Sequence, residues 1–192
     1  MEVSLPVNDY LTDPISLEGV FSPEECQTLI SLPCTETQLG KVVDLADPEN
    51  KQTDFSQRYT ICRLVDPIAS NHWIFERIKD AVNEVNRAYF KVKTVGFAST
   101  QILEYPLNGF YEWHVDIGKG VNSTRKLSIV VQLSDPGDYT GGRLLIGLRD
   151  YQLPVTQGAM IVFPSYLLHK VTPVESGKRF SLVTWSHGPA YS

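Results

Sequence analysis

The sequence predicts an α+β fold, mainly β, in which helices come first and a run of short strands follows as a sandwich, jelly roll or barrel. Two observations carry this reading. Apolar residues at helical spacing and a helix start signal fall in the first half. After Gly96, β-branched or aromatic segments alternate with turn residues at short, regular intervals.

The elements follow in order. Ser22-Pro23-Glu24-Glu25 offers an N-cap, a proline at the first helical position and two acids that complement the helix dipole, so a short helix is expected to about Leu32. Lys41 to Asp54 is polar and broken by Asp47-Pro48, which reads as an exposed loop, and Arg58 to Val65 reads as a strand. From Asn71 to about Phe90, Trp73, Ile74, Ile78, Ala81, Val82, Val85 and Tyr89 form the apolar stripe of a core-facing helix. Strands are then expected near Phe97–Tyr105, Tyr111–Asp116, Leu127–Leu133, Arg143–Leu148, Ala159–Phe163, His169–Val174 and Arg179–Trp185. Turn residues such as Asp135-Pro136-Gly137-Asp138 and Gly141-Gly142 separate them.

With 192 residues, 42% of them hydrophobic, the expectation is one domain over 1–192: helical support about 14–95 and a β core about 96–188. A formal charge of −5 argues against binding a nucleic-acid backbone. Residues Met1 to Asp13 lack a basic and apolar leader pattern and no apolar run approaches bilayer length, so the chain reads as soluble, cytoplasmic or otherwise intracellular. Cys26, Cys34 and Cys62 form no C-x-x-C pair and suit free thiols in a reducing compartment.

The chemistry starts at His114-Val115-Asp116. Alternation in a strand points positions 114 and 116 to one face, where they can grip one metal ion. Alone this is weak, because H-x-D also occurs as an exposed pair on a strand end. His169, after Phe163-Pro164-Ser165, adds a second imidazole, and two histidines with one carboxylate form the facial triad of non-haem iron oxygenases. His72 and His187 fit surface or capping positions better. Arg179, Ser181, Val183 and Trp185 share a face of the last strand. An inward arginine there needs an anion, either the distal carboxylate of 2-oxoglutarate beside the Ser181 hydroxyl or a structural acid such as Glu175. Trp185 suits a substrate-pocket wall and a jelly-roll core equally. Tyr111 falls opposite His114 by alternation, a core position unless a bulge intervenes. Gly118 to Arg125 reads as a mobile loop able to close over a substrate.

The stretches Tyr105…Tyr111-Glu112-Trp113-His114-Val115-Asp116, Leu133 to Gly142, and Phe163-Pro164-Ser165…His169 to Val174 resemble the prolyl 4-hydroxylase superfamily, especially its small bacterial-type hydroxylases. The resemblance runs from about Phe97 to Trp185. It implies a double-stranded β-helix (jelly roll) with packed N-terminal helices, and an Fe(II)- and 2-oxoglutarate-dependent dioxygenase that consumes dioxygen and releases succinate and carbon dioxide. Ascorbate enters as a candidate cofactor on the same ground. By position it makes His114, Asp116 and His169 the iron ligands, Arg179 the partner of the distal carboxylate, Tyr105 a hydrogen-bonding neighbour of the cosubstrate and Ser181 the serine of an R-x-S pattern. The implied substrate is a prolyl residue in a peptide or protein, with neither nucleic acid nor membrane as partner. Ile117 and Val130-Val131 depart from the pattern of some relatives. The rival readings are a same-fold oxygenase acting on a free amino acid or other small molecule, and a metal- or ligand-binding jelly roll without catalysis.

Overall fold

The computed structural model describes residues 7–33, 37–43, 51–147, 149 and 151–191. Cys34, Asp47-Pro48, Leu148 and the first six residues of the N-terminal reading lie outside these. Strand β1 (Ile15–Leu17) precedes helix α1 (Pro23–Ile30). The Ser22 side chain accepts from the Glu25 amide while the Glu25 carboxylate accepts from the Ser22 amide, a complete capping box that fixes the helix start where the sequence places it. Short strands follow: β2 (Thr37–Leu39), β3 (Val42–Val43), β4 (Lys51–Gln52), β5 (Arg58–Tyr59) and β6 (Ile61–Leu64). The expected loop 41–54 therefore contains a small antiparallel pairing of β3 with β4, and the single strand expected over 58–65 is split between two sheets.

Helix α2 (His72–Val85) buries Ile74, Ile78, Val82 and Val85 along the predicted stripe and ends in one wide turn, Asn86–Phe90. The β core then runs through β7 (Gly96–Tyr105), β8 (Phe110–His114), β9 (Arg125–Gln132), β10 (Tyr139–Gly141), β11 (Leu144–Ile146), β12 (Met160–Pro164), β13 (His169–Val171), β14 (Val174–Gly177) and β15 (Arg179–His187). The strand expected over 169–174 stops at Val171 and resumes at Val174, where β14 pairs with β10 instead. Residues 120–124 form a 3-10 turn whose Thr124 hydroxyl lies 2.8 Å from His187 Nδ1, which ties this connection to the last strand.

Besides the pairs β3-β4 and β10-β14, the described strands form two larger antiparallel sheets, one ordered β1-β12-β9-β15-β7-β6-β2 and one β11-β13-β8-β5. Period-two alternation sorts the strands of the larger sheet into two layers. Ile102, Leu127, Ile129, Val131, Met160, Val162 and Leu182 pack with the buried faces of α1 and α2. Their alternates Leu103, Tyr105, Val130, Ile161 and Phe163 pack with Leu144, Ile146 and Val171 of the smaller sheet. The helices close one face, and the space between the sheets becomes the interior that holds the polar residues described below.

Gly158 joins the helical layer to this sheet. Its φ is +82°, and a Cβ there would lie 1.9 Å from the Phe21 carbonyl oxygen, while the Phe21 amide donates to the Gly158 carbonyl at 3.2 Å. Gly158→Ala is expected to destabilise by at least about 2 kcal/mol through backbone strain and forced separation. For a chain of this size that is a fall of about 4–8 °C in the thermal unfolding midpoint.

Among the described residues no helix is long and apolar enough to cross a membrane. Cys26 and Cys62 are free and buried.

Candidate metal centre

The interior between the sheets opens as a cavity of about 310 Å³. His114 at the end of β8 and His169 at the start of β13 are directly paired across two adjacent strands, and Asp116 follows two residues beyond His114. One ligand atom from each of His114, Asp116 and His169 lies within 4.8 Å of the others, with His169 Nε2 3.4 Å from Asp116 Oδ2. Both rings are oriented from behind: Nδ1 of His114 is 2.7 Å from the Glu112 carbonyl and Nδ1 of His169 is 2.9 Å from the Leu167 carbonyl. A carbonyl can only accept, so each Nδ1 is the protonated nitrogen and each Nε2 keeps its lone pair toward the cluster.

The electrostatics favour the ligating forms. Burial, reinforced by the neighbouring His169, pushes the His114 imidazole down to about 3, so it is neutral at any ordinary pH. Burial alone would raise the Asp116 carboxyl, but His169, His114 and the hydrogen bond from Ser128 hold it below the usual carboxylate range. Ser128 on β9 donates to Asp116 Oδ2 at 2.6 Å and lies 3.0 Å from Ser165 Oγ. The Asp116 amide donates to the Ser165 carbonyl at 2.9 Å. Ser128→Ala is expected to weaken metal affinity about 10- to 100-fold without unfolding the chain, the usual cost of losing a partner that orients a ligand. A competition titration against a chromophoric chelator measures it.

Arg179, Ser181, Val183 and Trp185 all face the cavity, as alternation along β15 predicts. Arg179 is 1% exposed. Its Nη2 donates to Gln132 Oε1 at 2.7 Å and its guanidinium lies 5.1 Å from the centre of the Tyr105 ring. Nε and Nη1 of Arg179 and Oγ of Ser181 are buried without a protein partner. The structural alternative, an ion pair with Glu175, is not formed: Glu175 is exposed, and among the described residues no carboxylate pairs with Arg179. A buried cation with two unused donors beside an unused hydroxyl is built to receive an anion. The side-chain phenol of Tyr105, raised by burial, stays protonated beside it.

Tyr111 resolves the question that alternation left open. His169 pairs with His114 but Val171 pairs with Tyr111, so β8 spends three residues where β13 spends two. This bulge turns Tyr111 onto the cavity side, its ring stacked on His114 with centroids 3.5 Å apart. Trp185 also lines the cavity, beneath the Arg125 guanidinium at 3.8 Å. His72 is exposed and pairs with Glu76, and His187 lies at the far end of β15; neither joins the cluster.

Sequence reasoning missed four contributors. Ser128 and Gln132 carry a legible signal: they are polar residues four apart, on one face, in the otherwise apolar run Leu127–Leu133. Arg58 and Arg125 carry none, since a strand arginine and a loop-end arginine are ordinary. Arg58 is 9% exposed and lies 4.4 Å over the Tyr111 ring.

The double-stranded β-helix presents two histidines and an aspartate at one end of its interior, a donor set that suits a single metal ion with open coordination positions. Residues 100–187 match the family model of the 2OG-Fe(II) oxygenase superfamily. The chain is 41% identical over 80 residues to a PKHD-type hydroxylase of Synechococcus sp. strain CC9605, covering 39% of this chain and 35% of that protein. It is 38% identical over 98 residues to a PKHD-type hydroxylase of Colwellia psychrerythraea, covering 47% and 44%. The matched segment thus spans less than half the length of these curated relatives. Among solved structures, the fold is shared with a Pseudomonas putida prolyl-4-hydroxylase (TM-score 0.68, 17% identity, 92% of this chain and 93% of that one). It is also shared with the viral collagen prolyl hydroxylase of Paramecium bursaria Chlorella virus-1, solved with 2OG (TM-score 0.66, 18% identity, 92% and 96%). A third is the Trichoplax adhaerens prolyl hydroxylase in complex with a hypoxia inducible factor peptide fragment (TM-score 0.68, 11% identity, 92% and 84%).

Proposed function

We propose that the chain is an Fe(II)- and 2-oxoglutarate-dependent dioxygenase that hydroxylates a C–H bond, with a prolyl residue in a peptide or protein as its substrate. The observation that carries this reading is Arg179, a buried guanidinium with two unused donors on the wall that also holds the His114, Asp116 and His169 cluster. A metal-binding jelly roll without a dicarboxylate cosubstrate has no use for it. The curated PKHD-type relatives, the prolyl hydroxylase structures and the neighbour solved with a peptide support the substrate class.

In this reading Nε2 of His114 and His169 and a carboxylate oxygen of Asp116 hold the metal, and Arg179 with Ser181 holds the far carboxylate of 2-oxoglutarate. The bound iron supplies the oxidation, in which dioxygen and 2-oxoglutarate give hydroxylated substrate, succinate and carbon dioxide. The protein's own work is positional. Ser128 fixes the carboxylate, the two backbone carbonyls fix the imidazole tautomers, and Tyr111 with Trp185 walls the space in which a C–H bond must sit. No acid–base pair is required of the side chains.

The test is an anaerobic titration of metal-free protein with Fe(II) and then 2-oxoglutarate, following the visible charge-transfer band of the chelated 2-oxo acid. The band is expected to saturate near one equivalent and to be missing in His114→Ala and Arg179→Ala. A folded protein that gives no band would sink the reading.

A further inference from the structure

We infer that the substrate of this site carries a carboxylate close to the C–H bond that reacts. The inference rests on the dioxygenase reading above and narrows its substrate class. Among the described residues the cavity is lined by Lys41, Arg58, Arg125 and Arg179 against one acid, Asp116, although the whole chain carries a formal charge of −5. A divalent metal and a dicarboxylate cosubstrate cancel each other in charge, which leaves all four cations against Asp116, Arg179 being the one assigned above to the far carboxylate.

Two of them flank the metal cluster. Among the described residues Arg58 hydrogen-bonds only to neutral groups: Thr60 Oγ1 at 2.7 Å, Cys62 Sγ at 3.1 Å and the Lys41 carbonyl at 3.3 Å. Its guanidinium, the Tyr111 ring and the His114 ring form one continuous stack. On the other side, Arg125 sits over Trp185 and donates to the Asp116 backbone carbonyl at 3.1 Å, while its Nε is buried without a partner. Its separation from the Asp116 carboxylate is 4.0 Å, long for a charge-assisted bond. Lys41 is exposed at the rim.

Buried or half-buried cations held by neutral partners cost stability, and a recess with low-dielectric walls concentrates their field on whatever enters. A ligand that brings one negative charge relieves that cost; a neutral one does not. Because the remainder of the chain is acidic, a polyanion such as nucleic acid is repelled outside the recess, so the complementary ligand is compact and carries an isolated carboxylate. That group can come from an Asp or Glu beside a target residue in a peptide, or from the main-chain carboxylate of a free amino acid.

The experiment uses the full chain loaded with Fe(II) and 2-oxoglutarate under nitrogen, and reads equilibrium binding by calorimetry and by perturbation of the charge-transfer band. The probes are matched pairs: acetylated, amidated Ala-Pro-Asp against Ala-Pro-Asn, and free L-proline against L-prolinamide. In at least one pair the carboxylate member is expected to bind about tenfold or more tightly, with the responding pair identifying the source. That preference is expected to shrink severalfold in Lys41→Gln, to shrink further in Arg58→Gln and to be retained in Arg58→Lys. The band in each variant reports whether the site is folded. Equal binding of both members of each pair, or no binding of any probe to protein that shows the band, overturns the inference. Absence of the band in the unaltered protein removes the dioxygenase reading instead.

Discussion

Arg179→Met is expected to weaken 2-oxoglutarate binding by about 30-fold or more, since removing one partner of a buried charge pair costs about 2–5 kcal/mol. Fe(II) binding should be nearly unchanged, because Arg179 contacts none of His114, Asp116 or His169 and shares only the cavity wall with them. The same substitution carries a second, opposite expectation for the cofactor-free protein. The Arg179 guanidinium is buried with Nε and Nη1 unsatisfied, a desolvation cost that no acid among the described residues offsets. Methionine fills similar volume and takes the guanidinium from Gln132 Oε1 and from the neighbouring Tyr105. The thermal midpoint of metal-free Arg179→Met should therefore equal or exceed that of the unaltered chain. Loss of cosubstrate binding with a midpoint that does not fall identifies a binding residue; a fall of more than about 5 °C, beyond about 1 kcal/mol at this chain length, would identify a structural one.

Asp116→Ala is expected to abolish the stabilisation that metal confers. A metal present at about 100 times its dissociation constant stabilises the folded chain by about 2.7 kcal/mol, or about 5–10 °C in midpoint at this size. Among the described residues Asp116 is the only acid in the cluster, and without it two imidazoles remain, which bring no negative charge to offset the dication. Differential scanning fluorimetry with Mn(II) or Co(II), which avoid oxidation, measures the shift. The unaltered chain should show it and Asp116→Ala should not. An undiminished shift in the variant would place the metal elsewhere.

How far the sequence speaks depends on whether the relevant physics is local. The N-cap at Ser22, the stripe of α2 and the alternation of β15 are written in residues a few positions apart, and each is found in the fold as read. His114 and Asp116 were legible for the same reason. His169 was legible through its residue type and the predicted strand it begins, and its direct pairing with His114 is something only the structure displays. The orientation of Tyr111 was not legible, because it depends on one extra residue in β8 relative to a strand some sixty positions away. Arg58 is likewise set by its stacking on Tyr111, and Arg125 by its stacking on Trp185, contacts that leave no trace in the neighbouring sequence. The splitting of residues 58–65 between two sheets has the same origin, since which sheet a short strand joins is decided by its partners.

The direct pairing of His114 with His169 has a consequence for how the smaller sheet is kept in place. Strands β8 and β13 are five and three residues long, too short for backbone bonds alone to forbid sliding. A shift of one position would send one imidazole to the outer surface and leave the other behind. An ion held by both rings would therefore act as a pin through two neighbouring strands, and because Asp116 would add a third attachment just past the end of β8, it would also anchor the chain where it leaves the sheet. Loading the metal and locking the alignment of these strands would then be one event, with the loops that frame the cavity mouth set in position by the same ion that the cavity serves.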